Sequence, residues 1–172
     1  MWSKGVGKSS VKILLVTIVL VEASTRIDPC SPWVVNFRTM KCYRVFCVPQ
    51  TQQEAEAVCR IYGGHLATIC NQDVDDFAAL MGYFYQTGRD LPRVWIGLHW
   101  KGRDPLSWIW ESGSNCTYRA WWQGQNTPDN YGGTEKCVHY ITFLSSAWNM
   151  WNDLHCHNKE NFICETDDCT QL

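Results

Sequence analysis

The stretch Thr51–Ile69, TQQEAEAVCRIYGGHLATI, contains a helix followed by a strand, and it decides the fold class. Thr51 and Glu54 have the spacing of a capping box, in which each side chain satisfies backbone groups at the start of a helix. Gly63–Gly64 end the helix, because glycine readily adopts the conformation that closes a helix C-terminus. The residues that share the apolar face of this helix are Ala55, Val58, Cys59 and Tyr62. The last five residues, HLATI, predict a short strand.

The remainder of the chain predicts a second helix and then several strands. The second helix runs from Asn71 to about Tyr85, with the acids Asp73, Asp75 and Asp76 in its first turn. Its apolar residues at helical spacing are Val74, Phe77, Leu80, Met81 and Phe84. Strands are predicted at KCYRVFC (41–47, in a hairpin that starts at Cys30), VWIGLHW (94–100), WIWESG (108–113), KCVHYITF (136–143) and ENFICE (160–165). Helices early and strands late indicate an α+β domain, and residues 111–135 lack periodicity, which is typical of a functional or ion-held segment.

The N-terminal residues predict a secretory signal peptide. Lys4, Lys8 and Lys12 form a positive region before the apolar run Ile13–Val21, and small residues follow it. A type II membrane anchor is the alternative, but nine apolar residues are too few to span a bilayer. We therefore predict a signal peptide over residues 1–24 and a secreted, extracellular mature chain over 25–172 that does not insert into a membrane.

Charge and cysteine content narrow the class of partner. The chain of 172 residues is the size of one domain, and its formal net charge is −2. Removal of residues 1–24 takes away three lysines and Glu22, which leaves −4. A mildly acidic chain without a basic run is a poor candidate for binding nucleic acid or anionic lipid. Ten cysteines behind a signal peptide, none in a C-x-x-C pair, indicate a disulfide framework rather than a zinc or redox site.

A family resemblance is carried by residues that occur in a fixed order along the chain. They are Cys59, GGHLATI, VWIGL, WIWESG, Cys137, WND, Cys156 and FICE. In this order they resemble the C-type lectin-like domain, over roughly Cys30–Glu165. The resemblance implies an α+β fold of two helices, small antiparallel sheets and a long irregular loop region, stapled by disulfides. Residues 30–165 would form the core of the domain, followed by a short C-terminal tail.

The resemblance also implies three disulfides. They are Cys59–Cys164, Cys137–Cys156 and Cys30–Cys42, of which the last would close the N-terminal hairpin. Of the four other cysteines, Cys47 and Cys70 form the pairing that we favour. Cys116 and Cys169 could bridge each other or another chain, so a disulfide-linked homo-oligomer remains open, because sequence alone does not fix connectivity.

The irregular segment contains the oxygen ligands that calcium prefers. By the resemblance, Thr127-Pro128-Asp129 occupies the position of the family's calcium-binding tripeptide, Glu-Pro-Asn or Gln-Pro-Asp. The further ligands would be Glu135, two residues before Cys137, and the Asn152-Asp153 pair. Thr127 departs from the family pattern, because a hydroxyl is a shorter and weaker ligand than Glu or Gln. Pro128 would need a cis peptide bond, which X-Pro sequences adopt at low cost. An accessory calcium site is not expected, since Lys136 and Asn130 stand where acids would be needed.

In such a site two vicinal hydroxyls of a sugar complete the calcium coordination while the ligating side chains hydrogen-bond the same hydroxyls. Thr127 can donate a hydrogen bond and Asp129 can only accept one, an order that resembles the galactose-binding members. Tyr131 lies where those members often carry an aromatic residue that stacks on the sugar. The predicted sugar contacts are Thr127, Asp129, Tyr131, Glu135 and Asn152, and the predicted partners are glycans or glycoproteins.

Alternative interpretations remain for the fold and for single residues. The same fold could serve as a protein-interaction module without sugar binding, which Thr127 favours, or as an ice- or mineral-binding protein. An extracellular hydrolase finds no support, because the sequence has no G-x-S-x-G turn and no Cys-His pair outside the predicted disulfides. Trp151 is predicted to be core, and Asn152-Asp153 could be an ordinary turn. His155 and His157 are predicted to be solvated rather than a zinc site.

Overall fold

The computed structural model describes residues 29–85, 93–102, 107–141 and 149–170, so the predicted signal peptide lies outside the described residues. The helices are α1 (Gln52–Ile61) and α2 (Gln72–Tyr85). The strands are β1 (Val34–Asn36), β2 (Lys41–Gln50), β3 (His65–Leu66), β4 (Arg93–Trp100), β5 (Trp108–Trp110), β6 (Glu135–Ile141), β7 (Met150–His155) and β8 (Glu160–Thr166). Two short 3-10 turns, Gln123–Gln125 and Tyr131–Gly133, lie in the segment that was predicted to be irregular.

The eight strands form one sheet. Its order is β1-β2-β8-β4-β6-β7, with β3 paired to β8 and β5 paired to β4. The expected antiparallel pairs are present, and one parallel pair, β4 with β8, joins them through the register Val94↔Asn161 and Trp95↔Phe162. As a result β1 and β2 lie at one edge of the sheet, and β6 and β7 lie at the other edge.

The first helix forms as its sequence predicts. The Thr51 hydroxyl accepts the Glu54 N–H at 3.2 Å, and the Glu54 carboxylate accepts the Thr51 N–H at 3.0 Å. Gly64 is required after the helix, because a Cβ at this position would lie 1.9 Å from the Glu165 carbonyl oxygen. This close approach allows β3 to pair with β8 and fixes α1 against the sheet.

The second helix buries a different face from the one that its apolar residues predict. Val74 and Met81 are buried as expected, but Leu80 and Phe84 are exposed. Asp75, Ala78 and Ala79 are buried instead. The prediction was wrong because small residues let the helix lie close to the sheet, and the acid among them finds hydrogen-bond donors there.

Two of the predicted strands are shorter than expected, and one strand was not predicted. Only His65 and Leu66 of HLATI pair with β8, and the WIWESG strand ends at Trp110. β7 includes the Asn152-Asp153 pair that could have been a turn, and it runs antiparallel to β6 with the register His139↔Asn152. Trp151 is fully buried, so its prediction as a core residue is confirmed.

Five disulfides use all ten cysteines, so no cysteine is free to join another chain. Two of them, Cys59–Cys164 and Cys137–Cys156, are the pairs that the resemblance implied. The others are Cys30–Cys47, Cys42–Cys169 and Cys70–Cys116. The expected Cys30–Cys42 and Cys47–Cys70 pairs were therefore wrong, as was the suggestion that Cys116 and Cys169 bridge each other or a second chain.

Strand neighbours explain the corrected pairings. The Cys30 N–H donates to the Val45 carbonyl at 3.0 Å, which places Cys30 beside the Cys47 end of β2. Cys42, at the other end of β2, lies opposite Thr166 of β8, three residues before Cys169. The Cys42–Cys169 bond therefore fastens the C-terminal tail to β2.

Neither helix in the described ranges has the length and apolar character needed to cross a bilayer.

Candidate calcium and sugar site

Three carboxylates from separate parts of the chain meet at the β6–β7 edge of the sheet. Asp129 comes from the irregular segment, Glu135 is the first residue of β6, and Asp153 belongs to β7. One oxygen from each lies within 4.8 Å of the others. Within the described ranges this is the one group of three acidic, imidazole or thiol side chains with metal-binding spacing. The three carboxylates predicted from the sequence are therefore brought together.

Asp153 organises the loop as well as the cluster. Its carboxylate accepts the N–H of Asp129 at 3.2 Å and the N–H of Asn130 at 2.7 Å. Asn130 adopts a left-handed conformation with φ of 46°, which turns two successive amides toward one carboxylate. Burial raises the pKa of Asp153, and the charge of Asp129 raises it further, although the backbone hydrogen bonds oppose this shift.

The pKa of Glu135 is raised for similar reasons. Its side chain is half-buried, and burial is the largest cause of its raised pKa. The charges of Asp153 and Asp129 add to the shift. Carboxylates that raise one another's pKa are held together at a cost in free energy, and a divalent cation would reverse this effect. Three acids around one point fit calcium, which binds carboxylate, amide and backbone oxygens.

Asn152 was predicted to supply a neutral ligand, and it lies beside Asp153 in β7. The Asn152 Nδ2 donates to the Asp153 backbone carbonyl at 2.8 Å. This bond holds the side-chain amide against the main chain of β7. Its role as a ligand stays a prediction.

Thr127 does not face the position that a calcium ligand or sugar donor needs. The Thr127–Pro128 peptide bond is cis, as predicted. Thr127 is only 6% exposed, and its hydroxyl donates to the backbone carbonyl of Trp151 at 3.0 Å, with the Trp122 carbonyl at 3.2 Å. A hydroxyl has one proton, so this group is not available as a donor to a sugar. The donor-then-acceptor order inferred from the sequence is therefore corrected, and Thr127 serves to fasten the loop to β7.

Tyr131 is the exposed aromatic residue of the loop. Its side chain is 74% exposed, and its N–H donates to the Asp129 carboxylate at 3.2 Å. Gly132 and Gly133 follow with φ of 65° and 75°, so the chain turns sharply after the ring. The ring is free to contact a ligand bound at Asp129.

Trp151 connects the loop to the core: its main chain hydrogen-bonds the loop, and its side chain hydrogen-bonds a buried residue of α2. Its N–H donates to the Ala120 carbonyl at 2.7 Å, and its carbonyl accepts the Trp122 N–H at 2.9 Å. Its indole N–H donates to the Asp75 carboxylate at 2.9 Å. Sequence reasoning missed Asp75, since an acid in the first turn of a helix is adequately explained by the helix dipole.

The histidines flanking Cys156 form a stacked pair rather than part of the acidic group. The His155 and His157 rings lie 5.4 Å apart, and Cys156 is committed to its disulfide. Two other histidines contact acids: His65 Nδ1 lies 2.9 Å from Glu56, and His99 Nδ1 lies 3.1 Å from Glu111. The Lys136 ammonium lies over the Trp100 ring at 5.0 Å, so it does not face an accessory ion.

The carboxylate cluster combines the exposed Asp129 and the half-buried Glu135 with Asp153, which is fully buried. A cleft of about 430 Å³ lies elsewhere on the molecule, between the turn after α1 and the end of β8. Its lining residues are Lys41, Gly63, Gly64, His65, Ser112, Gly113, Ser114, Glu165, Thr166 and Asp167. None of the predicted calcium or sugar residues lines this cleft, so the two features are separate.

Comparison with known proteins identifies the family. The family described as Lectin C-type domain matches residues 48–166. Perlucin from Haliotis laevigata is 35% identical over 129 residues, which cover 73% of this chain and 76% of perlucin. A C-type lectin mannose-binding isoform from Notechis scutatus scutatus is 33% identical over 159 residues, which cover 91% of this chain and 94% of that lectin. The solved human scavenger receptor C-type lectin carbohydrate-recognition domain has a TM-score of 0.62 at 30% identity, covering 81% of this chain and 99% of that domain. The predicted fold is confirmed, and the chain belongs to the C-type lectin domain family.

Proposed function

We propose that the protein is a calcium-dependent carbohydrate-binding lectin. The observation that carries the proposal is the convergence of the Asp129, Glu135 and Asp153 oxygens within 4.8 Å. Burial is the largest cause of the raised pKa values of Glu135 and Asp153, and the charges of neighbouring carboxylates add to them, so a bound cation would offset that repulsion. Asn152 precedes Asp153 in β7, and its neutral amide would complete the proposed ligand set.

The roles of the side chains follow from their positions. Asp153 and Glu135 would hold the ion from two adjacent strands, while Asp129 would hold it from the loop. Bound calcium would supply the open coordination positions that a sugar diol fills. Asp129, which is exposed and can only accept hydrogen bonds, would orient one hydroxyl of that diol.

We propose galactose or N-acetylgalactosamine as the sugar class. Its support is the exposed Tyr131 ring beside Asp129, since aromatic rings pack against the apolar faces of ligands. The Thr127 hydroxyl no longer supports it, because it points to main-chain carbonyls. One relative is described as mannose-binding, so any test has to compare both sugars.

The experiment combines calcium titration with affinity chromatography. Calcium is titrated into chelator-treated protein by calorimetry, and the protein is then passed over immobilised galactose and mannose with and without EDTA. Asp153→Asn is the test variant. Asp168→Asn is the matched control, because that exposed carboxylate bonds only to Thr170 among the contacts that the structure shows. We expect retention on galactose that EDTA and Asp153→Asn abolish and that Asp168→Asn preserves.

A second candidate is a protein-interaction module without sugar binding. The observation that favours it is Thr127, which stands where the family pattern has Glu or Gln and whose hydroxyl is used internally. Calcium uptake in the titration with no retention on either column, across a panel of glycans, would select this candidate. Retention unaffected by EDTA would reject the calcium-bridged mechanism.

We further propose that the chain is secreted after cleavage near residue 24, since five disulfides form in an oxidising compartment. N-terminal sequencing of the protein secreted by eukaryotic cells tests this. Any homo-oligomer would be non-covalent, because all ten cysteines are paired within the chain. Light scattering of the purified protein measures its oligomeric state.

A further inference from the structure

Asp75 is a buried carboxylate that the proposed calcium site does not include. It lies in the first turn of α2 and is 0% exposed. Three neutral donors from three parts of the chain meet its side chain: the Tyr140 hydroxyl at 2.6 Å, the Trp151 indole N–H at 2.9 Å and the Tyr118 hydroxyl at 3.0 Å. They belong to β6, to β7 and to the irregular segment. Asp75 therefore joins α2 to each element that carries a predicted calcium ligand.

The bond to Trp151 is the one that reaches the calcium loop. The Trp151 carbonyl accepts from the Trp122 N–H and from the Thr127 hydroxyl, which begins the tripeptide that ends at Asp129. Asp153 lies two residues further along the same strand. A rotation or shift of Trp151 would therefore move two of the three carboxylates together.

Aromatic packing alone does not fix the direction of the Trp151 indole N–H. Four rings surround the indole, all in edge-to-face geometry, with centroids 5.8 to 6.4 Å from its own. They are Trp110, Tyr118, Trp121 and Tyr140. Edge-to-face contacts are individually weak and tolerate several orientations of the ring. A buried indole N–H without an acceptor costs free energy, so the orientation that reaches Asp75 is selected.

We propose that Asp75 is a positioning residue for the calcium loop, acting through the indole of Trp151. The expected effect on calcium binding rests on the proposed function, whereas the fastening of the loop by Trp151 does not depend on it. Asp75 touches no ion and no sugar; it holds the residue to which the loop is fastened. A core carboxylate with a merely structural role would stabilise the whole domain without a specific effect on the loop.

The experiment compares a variant that removes the acceptor of the Trp151 indole with one that leaves it in place. Asn is not the test substitution at position 75, because Tyr140 and Trp151 donate to the same carboxylate oxygen and an amide oxygen would keep both bonds. Asp75→Leu has a side chain of similar size and no acceptor, so the Trp151 indole N–H loses its partner. Tyr140→Phe is the matched control, because it removes a donor to Asp75 and leaves the Trp151 bond in place. The free energy of unfolding in urea and the calcium Kd are measured for both.

We expect Asp75→Leu to weaken calcium binding by about 10-fold or more, the usual range for residues that orient metal ligands. Tyr140→Phe should destabilise the domain while leaving the calcium Kd within about 2-fold of wild type, since it does not reach the loop. Equal effects of the two variants on calcium Kd would overturn the proposal. So would a Kd for Asp75→Leu that matches wild type.

A second measurement separates this proposal from the proposed function and needs no variant. Native-state hydrogen exchange is followed in calcium-free wild-type protein for the Trp151 indole N–H and for the backbone N–H of Asn130. If Trp151 holds the loop, both protons exchange through one opening and have the same free energy of exchange. Exchange at Asn130 while the Trp151 indole stays protected, or the reverse, would refute the positioning role whether or not the protein binds calcium.

Discussion

The carboxylate of Asp153 accepts the main-chain N–H of Asn130 at 2.7 Å while it faces the carboxylate of Glu135 across the strand pair. One side chain therefore both shapes the loop and contributes to the charge cluster. These hydrogen bonds fix the main chain that carries Asp129, and a fixed loop loses less entropy when it binds a ligand.

The first prediction concerns Asp153 itself. Asp153→Asn keeps an oxygen that can accept the Asn130 N–H but removes one of the three charges, so we expect calcium affinity to fall by roughly two orders of magnitude. The calcium-free protein should lose about 1 to 3 kcal/mol of stability, because the Asp129 N–H then faces the new NH2 group and loses its acceptor. Urea unfolding with and without millimolar calcium measures both quantities, because only wild type should gain stability from the ion. Equal stabilisation of variant and wild type would contradict the assignment.

A second prediction is that acid weakens calcium binding. Glu135 and Asp153 have raised pKa values in the calcium-free fold, so they take up protons at a higher pH than free carboxylates do. Protonated Glu135 and Asp153 therefore stabilise the calcium-free fold at low pH, and this contribution is lost as the pH rises. Bound calcium favours the ionised carboxylates instead, so the stability of the calcium-bound fold changes with pH in the opposite direction. Titrations at about pH 5 and at about pH 7.5 should show weaker binding and greater proton release at the lower pH. Binding independent of pH over this range would count against a carboxylate site.

The third prediction concerns His139, which is buried in β6. Burial lowers its pKa from 6.5 to about 4, and its Nδ1 lies 2.8 Å from the Tyr140 carbonyl. Because the folded pKa lies below the unfolded one, the stabilising contribution is present above pH 6.5 and is lost as the pH falls toward 4. The full difference corresponds to about 3 kcal/mol.

Replacement by phenylalanine tests this contribution. His139→Phe should keep the edge-to-face contact with Trp95 and remove the titrating group, so its stability relative to wild type should improve as the pH falls. Urea unfolding at several pH values measures the difference. The exposed His157→Gln is the control, and its stability relative to wild type should not follow that pH dependence.

The fourth prediction is an opposite pH dependence from Asp75. Burial raises its pKa from 3.8 to about 6, so its contribution to stability is fully present below about pH 3.8 and is lost as the pH rises through about 6. The free energy of unfolding of wild type should therefore exceed that of Asp75→Asn by more at about pH 4 than at about pH 7.5. The two differences should themselves differ by about 3 kcal/mol. Urea unfolding of the two chains at each pH gives this difference directly. A gap that stays constant with pH would show that Asp75 titrates normally.

The fifth prediction is the disulfide connectivity. Digestion without reduction should release linked peptides containing Cys42 with Cys169 and Cys70 with Cys116. Removing Cys42–Cys169 by serine substitution should cost about 5 kcal/mol on the chain-entropy model, since it closes a loop of 127 positions. A Cys30–Cys42 peptide in the digest would contradict the structure.

Local signals in the sequence were sufficient for the elements that local interactions stabilise. The capping box of Thr51 and Glu54 and the glycines after α1 predicted the first helix because all of these contacts lie within a few residues. The acids of the site were also predicted, since the family pattern places a glutamate two residues before Cys137 and an Asn-Asp pair, here ending at Asp153, after a tryptophan. Their convergence is a consequence of the β6–β7 pairing.

The errors arose where the answer depends on distant neighbours. Cys42 pairs with Cys169 because β2 lies beside β8, and no residue near Cys42 carries that information. Asp75 turns inward because donors from three other elements surround it, which a helical periodicity does not contain. Thr127 has the chemistry of a weak ligand, but its hydroxyl donates a hydrogen bond to the Trp151 carbonyl, which lies far away in the sequence.

The sheet order determines where the protein can be attached to a surface without covering the three carboxylates. The Cys30–Cys47 and Cys42–Cys169 bonds hold both ends of the described chain against β2, while the three carboxylates lie at the β6–β7 edge. A tether attached near Cys30 or near Cys169 would leave the opposite edge facing outward. Several copies on a bead, a cell or a shared stalk would then present the proposed sugar sites in the same direction, and weak single contacts would add up to firm attachment.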